Sequence, residues 1–316
     1  MHVFRWFALC AVVMGVCVGV SAQDKEAAPA KAGEKIDLKI NFTPGTYVVT
    51  KEVTMHVDTA GERPTASQIH TVMVMDMEVG KPDAQGNRDL AVTYRQIKFD
   101  QKQGEQAMKY DSSAGTPAEQ LPPMGKMFEG MLGKTVTVTL DGHGKVSQIK
   151  GVDEMIASML HAGMDEQAAE ALKKQFGDRI AEETFGQLLI MPGKPVAKGD
   201  TWEVDKPLEL PVIGSVQYTQ ICTLKDVSDG VATVGVKGTL RSVGGKAPTT
   251  QPGAPTMMIH EMTVEGTTLM EIATGMAKRS DVTQKGTLTV TAGEGAEKRE
   301  TKITLNGTAK TTIEKK

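Results

Sequence analysis

Long stretches in which apolar and polar residues alternate one by one restrict the fold of this chain more than any other feature. From Thr46 to Asp58, one set of alternate positions is mainly apolar and the other is mainly polar. The apolar set is Tyr47, Val49, Val53, Met55 and Val57, and the polar set is Thr50, Glu52, Thr54, His56 and Asp58. A period of two places these sets on opposite faces of a half-buried strand. At about 3.3 Å per residue the strand would span roughly 40 Å, a length typical of strongly twisted, curved sheets.

The same alternation recurs along the chain and predicts an antiparallel meander of roughly ten strands. Further strands are predicted at 69–79, 90–110, 134–140, 145–149, 202–210, 215–225, 231–240, 257–276, 277–291 and 298–313. The dipeptides Asp141-Gly142, Asp229-Gly230 and Asn306-Gly307 predict tight hairpin turns, because these residues accept positive φ. In the strand predicted at 90–110 the apolar side chains move from even to odd positions, which predicts a β-bulge near Arg95.

A helical period replaces the alternation in the middle of the chain. The first apolar stripe at helical spacing is Val152, Met155, Ile156, Met159 and Leu160, and a second is Ala169, Leu172, Phe176 and Ile180. We therefore predict a helical insert at about 152–190 that packs on one face of the sheet. The low-complexity segments 111–124 and 244–256 are predicted to be loops. The fold class is α+β and β-dominated: a curved, half-barrel-like antiparallel sheet with a central helical insert.

The N-terminal residues are typical of a secretory signal peptide. Arg5 precedes the apolar run Trp6–Val20, and the small residues Val20 and Ala22 suit a cleavage site before Gln23. We expect residues 1–22 to be the signal peptide, 23–35 a disordered linker, and 36–316 a single domain. The protein is then periplasmic or extracellular.

Cysteine use is consistent with a fold held by packing alone. Once residues 1–22 are removed, Cys222 is the only cysteine that remains, so no intramolecular disulfide can form. Cys222 lies in a strand-like context, and we expect a buried, inert thiol.

Charge and motif content exclude several classes of function. The 36 basic and 39 acidic residues give a net charge of -3, which offers no cationic field for nucleic acid. Linear signatures of hydrolases, zinc proteases, nucleotide-binding loops and CxxC sites are absent. We therefore expect no enzyme activity, no cofactor, no nucleic-acid partner and no integral membrane segment.

Methionine is unusually frequent, with 19 residues against 7 phenylalanines. The predicted lining of a concave apolar surface is Val49, Val53, Met55, Met73, Met75 and Met77. Flexible methionines suit a lipophilic binding surface, but they equally fill irregular gaps in a packed core. A second methionine set, Met258, His260 and Met262, alternates along one predicted strand and is a candidate Cu(I) site, because thioether and imidazole ligands suit that soft ion.

The string MPGKPVAKGDTWEV at Met191–Val204 is the most distinctive local motif. Trp202 within it is expected to anchor the helical insert against the sheet. Together with 35–50 and the L-D-G-x-G-x-V turn at 140–146, this P-x-x-x-V-x-x-G-D-x-W pattern resembles an uncharacterised family of exported bacterial proteins. That resemblance implies no known activity. At the level of fold, long curved strands with helices on one face are similar to the periplasmic lipoprotein carriers, whose concave sheet holds acyl chains.

These observations favour an exported cell-envelope binding protein without catalytic activity, which holds an apolar or lipid-like ligand in the concavity of the sheet. An envelope protein is an alternative partner. If the helices fill the concavity, the protein is instead a structural or protein-interaction module. Copper binding is a further alternative.

Overall fold

The computed structural model describes residues 34–61, 64–142, 146–161, 191–210, 213–244, 256–292 and 299–316. The strands are β1 (Gly45–Ala60), β2 (Thr65–Val79), β3 (Arg88–Gln103), β4 (Gln106–Asp111), β5 (Thr135–Leu140), β6 (Val146–Lys150), β7 (Thr201–Leu210), β8 (Gly214–Ser228), β9 (Val231–Ser242), β10 (Thr256–Glu271), β11 (Ala277–Ala292) and β12 (Arg299–Lys315). The helices are α1 (Pro123–Met131) and α2 (Val152–His161), and two short 3₁₀ turns lie at Ser112–Ala114 and Ala118–Gln120.

All described strands belong to one antiparallel sheet that is not closed. The strand order is β6-β5-β3-β2-β1-β12-β11-β10-β9-β8-β7, and β4 pairs with β3 beside β5. Two meanders therefore meet at the central pair of β1 and β12, whose register places Val53 opposite Ala309. This confirms the predicted β-dominated meander. The sheet has twelve strands rather than about ten, partly because the segment predicted as one strand at 90–110 turns back at Gly104 to form β3 and β4.

The alternation in sequence separates the sheet into two chemically different faces. We call the face that carries Val49, Val53 and Met55 the inner face, and the face that carries Glu52 and Thr54 the outer face. Inner-face side chains of ten strands, β1 to β5, β7, β8 and β10 to β12, join one continuous apolar cluster. Burial of this apolar surface is the main force that favours the fold, at roughly 25 cal/mol per Å².

The β-bulge predicted near Arg95 is confirmed. Val74 on β2 is opposite Gln96, but the next residue, Met75, is opposite Tyr94, so Arg95 is the extra residue. The Arg95 guanidinium contacts the Asp76 carboxylate on the outer face. The bulge thus keeps apolar side chains on the inner face from Leu90 to Phe99 of β3.

Two of the three predicted hairpin dipeptides can be compared with the structure. Asp229 and Gly230 have φ of 47° and 73° and connect β8 to β9, as predicted. The prediction for Asn306-Gly307 is wrong, because both residues lie in the middle of β12, where Gly307 is opposite Met55. A Cβ on Gly307 would lie 2.7 Å from the Thr54 carbonyl oxygen, so glycine there permits close approach of β1. The third dipeptide, Asp141-Gly142, precedes residues 143–145, which lie outside the described residues.

The helices pack beside β3, β4, β5 and β6. The predicted helix at Val152 is confirmed as α2, whereas the second predicted stripe, in 162–190, lies outside the described residues. The prediction of a loop at 111–124 is wrong at its end, because α1 begins at Pro123, where proline suits the first helical position. Phe128 of α1 lies 5.4 Å from Phe99 and 5.5 Å from Tyr110, measured between ring centroids.

An N-terminal segment, 34–44, leads into β1 and contacts the far half of the sheet; we call it the strap. Ile36 and Val196 exchange two backbone hydrogen bonds of 2.8 Å, and the Asn41 amide donates to the Thr274 carbonyl at 2.8 Å. Leu38 is buried in a cluster with Trp202 and residues of β8 and β9. The described contacts of Trp202 thus hold the strap, rather than α1 or α2, against the sheet.

Candidate functional site

The structure brings the six predicted lining residues together on the inner face. These are Val49, Val53, Met55, Met73, Met75 and Met77, and each is at most 9% exposed. They occupy adjacent positions on the paired strands β1 and β2, where Val49 is opposite Met75 and Met77 is opposite Tyr47. They therefore form one continuous apolar surface. Whether a ligand contacts that surface stays a prediction.

Polar side chains interrupt the inner face at positions that the alternation reserves for apolar ones. Lys51 on β1 is opposite Thr311 on β12, Thr311 is opposite Ser280 on β11, and Ser280 is opposite Thr268 on β10. The hydroxyls of Thr268 and Ser280 are 3.1 Å apart and form a hydrogen bond. Of the four, all but Thr268 are buried. A polar row therefore crosses the four central strands.

Three further buried polar residues lie on the same face, outside this row. They are Ser67 and Thr71 on β2 and Gln284 on β11. Within the part of the chain that the structure describes, Ser67 Oγ has no hydrogen-bond partner. These polar residues were not predicted from the sequence, although a signal was present for one of them: Lys51 lies between Val49 and Val53 in an otherwise apolar series.

The second methionine set is not brought together as predicted. A register shift between Ile259 and Glu261 leaves His260 as an extra residue on β10. Met258 is therefore 43% exposed, whereas Met262, beyond the shift, is 5% exposed and belongs to the inner-face cluster. His260 Nε2 instead lies 2.8 Å from Thr289 Oγ1. The two thioethers point to opposite faces of the sheet, which removes the geometric basis of a shared Cu(I) site.

Cys222 is buried, as predicted. Burial raises the pKa of its thiol, although the Gln220 amide, whose Nε2 lies 3.2 Å from Sγ, has the opposite effect. A thiol that resists ionisation is a poor nucleophile. Among the described residues, no group of three or more His, Cys, Asp or Glu side chains could hold a metal ion.

A polar cleft of about 430 Å³ lies on the outer face, at the end of β7, β8 and β9. Asp205, Gln217, Thr219 and Arg241 contribute its polar lining. The Asp205 carboxylate accepts hydrogen bonds from Gln217 and, at 3.0 Å, from Thr219. This open cleft is separated from the predicted lining by the thickness of the sheet.

A protein-family model matches residues 85–277, more than half of the 316-residue chain. The chain belongs to DUF6263, a family of unknown function. This confirms the resemblance to an uncharacterised family. The matched residues run from the turn before β3 to the first residue of β11, so they include both helices and the Met191–Val204 motif. Among curated proteins, no relative matches the sequence.

Three solved structures with partial similarity are distant in sequence from this chain. A lipovitellin structure, from work on lipid-protein interactions, has 10% identity and a TM-score of 0.44 over 87% of this chain. The chain spans only 25% of the length of that lipovitellin. Pseudomonas aeruginosa OccK5 (OpdH) has 7% identity and a TM-score of 0.24, with 87% of this chain and 99% of that chain covered. Acinetobacter baumannii OccAB4 has 6% identity and a TM-score of 0.18, with 85% and 98% covered. These values are too low to assign a ligand.

No helix within the described ranges is both long and apolar enough to cross a membrane.

Proposed function

We propose that the protein is an exported, non-catalytic binding protein of the cell envelope that holds an apolar, lipid-like ligand against the inner face of its sheet. One observation carries the proposal: a large apolar cluster on the inner face extends from β5 to β7 across the open sheet, whereas the outer face is mainly polar. Unbranched methionines at Met73, Met75 and Met77 make part of this surface adaptable to ligands of varied shape.

Export is part of the proposal and is supported by sequence alone. The basic residue Arg5, the apolar run Trp6–Val20 and the small residues before Gln23 are the pattern of a cleaved signal peptide. Expression in a bacterial host with separation of the periplasm and medium, followed by N-terminal sequencing, tests it. We expect a mature chain that begins at Gln23 outside the cytoplasm, and an intact cytoplasmic chain would contradict export.

The second candidate function is a structural or protein-interaction module with a filled interior. The low exposure of the six predicted lining residues favours it, since a packed core shows the same burial. An envelope protein would then be the partner.

Native mass spectrometry of the exported protein distinguishes the two candidates. A ligand carrier should retain co-purified lipid under gentle ionisation. A spectrum that shows only the mass of the polypeptide, after purification without detergent, would reject the carrier.

A volume-filling substitution adds a second, independent test. If the interior holds space for a ligand, Val53→Phe should keep the stability of the ligand-free protein and reduce lipid retention. If the interior is filled, the same change should cost about 1–3 kcal/mol of unfolding free energy, as overpacked cores do. Val74→Phe, on the outer face of β2, is the matched control. It should change neither lipid retention nor the free energy of unfolding.

A further inference from the structure

Ser67 differs from its neighbours on the inner face in chemistry but not in burial. It lies near the start of β2, directly opposite Val57 on β1 and Gln103 on β3. Val57 is fully buried, and Ser67 itself is only 4% exposed. Two residues further along β2, Ile69 continues the apolar surface. Alanine would fit the same position without a polar atom.

The Ser67 hydroxyl is the buried polar atom of the inner face that lacks a hydrogen-bond partner within the described residues. Folding removes such a hydroxyl from water, and without a replacement partner that loss is unfavourable. Ser280, on the same face, shows the usual solution, because its hydroxyl bonds to Thr268. Such a group is rare in folded proteins, and a bound water, ion or ligand can supply its missing partner.

We propose that the ligand is an uncharged amphiphile, a hydrocarbon chain with an alcohol or ester oxygen, and that this oxygen hydrogen-bonds to Ser67 Oγ. This inference rests on the proposed function, since it names the class of ligand that the inner face holds. The hydrocarbon part lies along Val57, Met55 and the rest of the apolar face. A charged headgroup is disfavoured at Ser67, because burying an ion beside the uncharged residues Val57 and Gln103 is far costlier than burying an alcohol or ester.

Three probes that share one hydrocarbon chain test the inference on the exported, full-length mature protein. The probes are pyrene-labelled dodecane, dodecanol and dodecanoate, and binding is measured by fluorescence titration. The wild type should bind the dodecanol probe roughly tenfold more tightly than the dodecane probe, as one added hydrogen bond allows. In Ser67→Ala that advantage should disappear, while affinity for the dodecane probe stays the same.

Ser280→Ala is the matched control, because it also removes a buried inner-face hydroxyl, but one whose partner is known. It should leave the advantage of the dodecanol probe intact. Thermal unfolding of both variants without ligand gives a second readout: Ser67→Ala should unfold at the same or a higher temperature, and Ser280→Ala at a lower one.

The outcomes separate the two claims. If none of the three probes binds, the proposed function fails. If the dodecane probe binds but the dodecanol advantage is absent, or survives in Ser67→Ala, the inference about Ser67 fails while the proposed function stands. Tighter binding of dodecanoate than of dodecanol would overturn the uncharged class.

Discussion

Gly130 of α1 lies against the backbone of Met159 of α2, so closely that a Cβ on Gly130 would be 2.6 Å from Met159 Cα and 2.8 Å from its amide nitrogen. Backbone atoms cannot rotate away as a side chain can. The two helices therefore depend on the absence of a side chain at this crossing. The same helix pair joins Ile149, Val152 and Ile156 into a small apolar cluster next to β5 and β6.

Gly130→Ala should accordingly destabilise the protein by about 1–3 kcal/mol, the usual cost of overpacking. Helix propensity alone would make alanine more stable than glycine in a helix by roughly 0.5–1 kcal/mol. A loss of stability therefore identifies the steric clash as the cause, because propensity would give a gain. Urea unfolding measures it. Gly238→Ala is the control, because a Cβ there would make only ordinary contact, at 3.5 Å from the Thr219 carbonyl oxygen. A neutral or stabilising Gly130→Ala would contradict the helix crossing.

The alternation in the sequence was sufficient to predict much of this architecture. A change of apolar phase between Tyr94 and Ile97 predicted the bulge at Arg95, because a strand has only two faces and an inserted residue is the simplest way to keep one of them apolar. The same kind of phase change, from Ile259 to Met262, was present around His260 and could have located the second bulge.

The errors came from local signals that longer-range pairing overrode. Asn306-Gly307 has the composition of a hairpin turn, yet the alternation on both sides continues through it, and pairing with β1 and β11 keeps it extended. Helix α1 was missed because Pro123 and Gly125 are typical of loops, although proline is also favoured at the first helical position.

The candidate site was predicted only in part. The six apolar residues follow from periodicity and lie together on the inner face. The lack of a partner at Ser67 could not be predicted, because it depends on which side chains of neighbouring strands come within hydrogen-bonding distance.

Gly275 should be essential for the close packing of the strap against the segment that connects β10 to β11. Its φ of 65° lies in the left-handed region, and a Cβ there would be 2.1 Å from the Lys39 carbonyl oxygen. Gly275→Ala therefore adds a backbone clash to the roughly 1–2 kcal/mol that the left-handed conformation itself costs. Gly230→Ala is the control, since Gly230 has a similar φ of 73° with open space around it. We expect a larger loss of stability for Gly275→Ala, and faster hydrogen exchange of the Asn41 amide, whose bond to Thr274 holds the strap.

Stability should depend on pH through Asp111, between β4 and the 3₁₀ turn at Ser112–Ala114. Hydrogen bonds from Ser113, and then the ion pair with Lys98 at 2.9 Å, lower the pKa of the Asp111 carboxyl well below its usual value. Because the folded state holds the charged form more tightly than the unfolded state does, this contribution is present above about pH 4 and is lost as the pH falls. Urea midpoints between pH 7 and pH 3 should fall less in Asp111→Asn than in wild type. Asp58→Asn removes one exposed carboxylate from β1 and controls for net charge. Parallel pH profiles for wild type and Asp111→Asn would show that Asp111 has no such role.

The Cys222 thiol should report on the opening of the β7–β8 pair. Cys222 is opposite Trp202 in the register and belongs to the buried cluster that also holds Leu38 of the strap. Since burial raises its pKa, we expect a thiol reagent to leave Cys222 unmodified in the folded protein and to label it at the rate of unfolding. Peptide mapping by mass spectrometry measures the modified fraction. Gly275→Ala should accelerate this labelling, whereas rapid modification of the folded wild type would contradict the burial of the thiol.

Strand β7 ends the strand order of the sheet, and its sequence protects it from pairing with another chain. Pro207 lacks a backbone donor, and Lys206 lies on the inner-face side of the strand, opposite Tyr218, where burial lowers the pKa of its amine. Proline and inward-pointing charges are the devices by which edge strands avoid association. The double variant Lys206→Val, Pro207→Thr should therefore remain folded but self-associate, as measured by light scattering during size-exclusion chromatography. Glu203→Thr, an exposed outer-face change on the same strand, is the control and should leave the mass in solution unchanged. If the double variant has the same molecular mass in solution as wild type across a hundredfold range of concentration, Lys206 and Pro207 do not prevent self-association through β7.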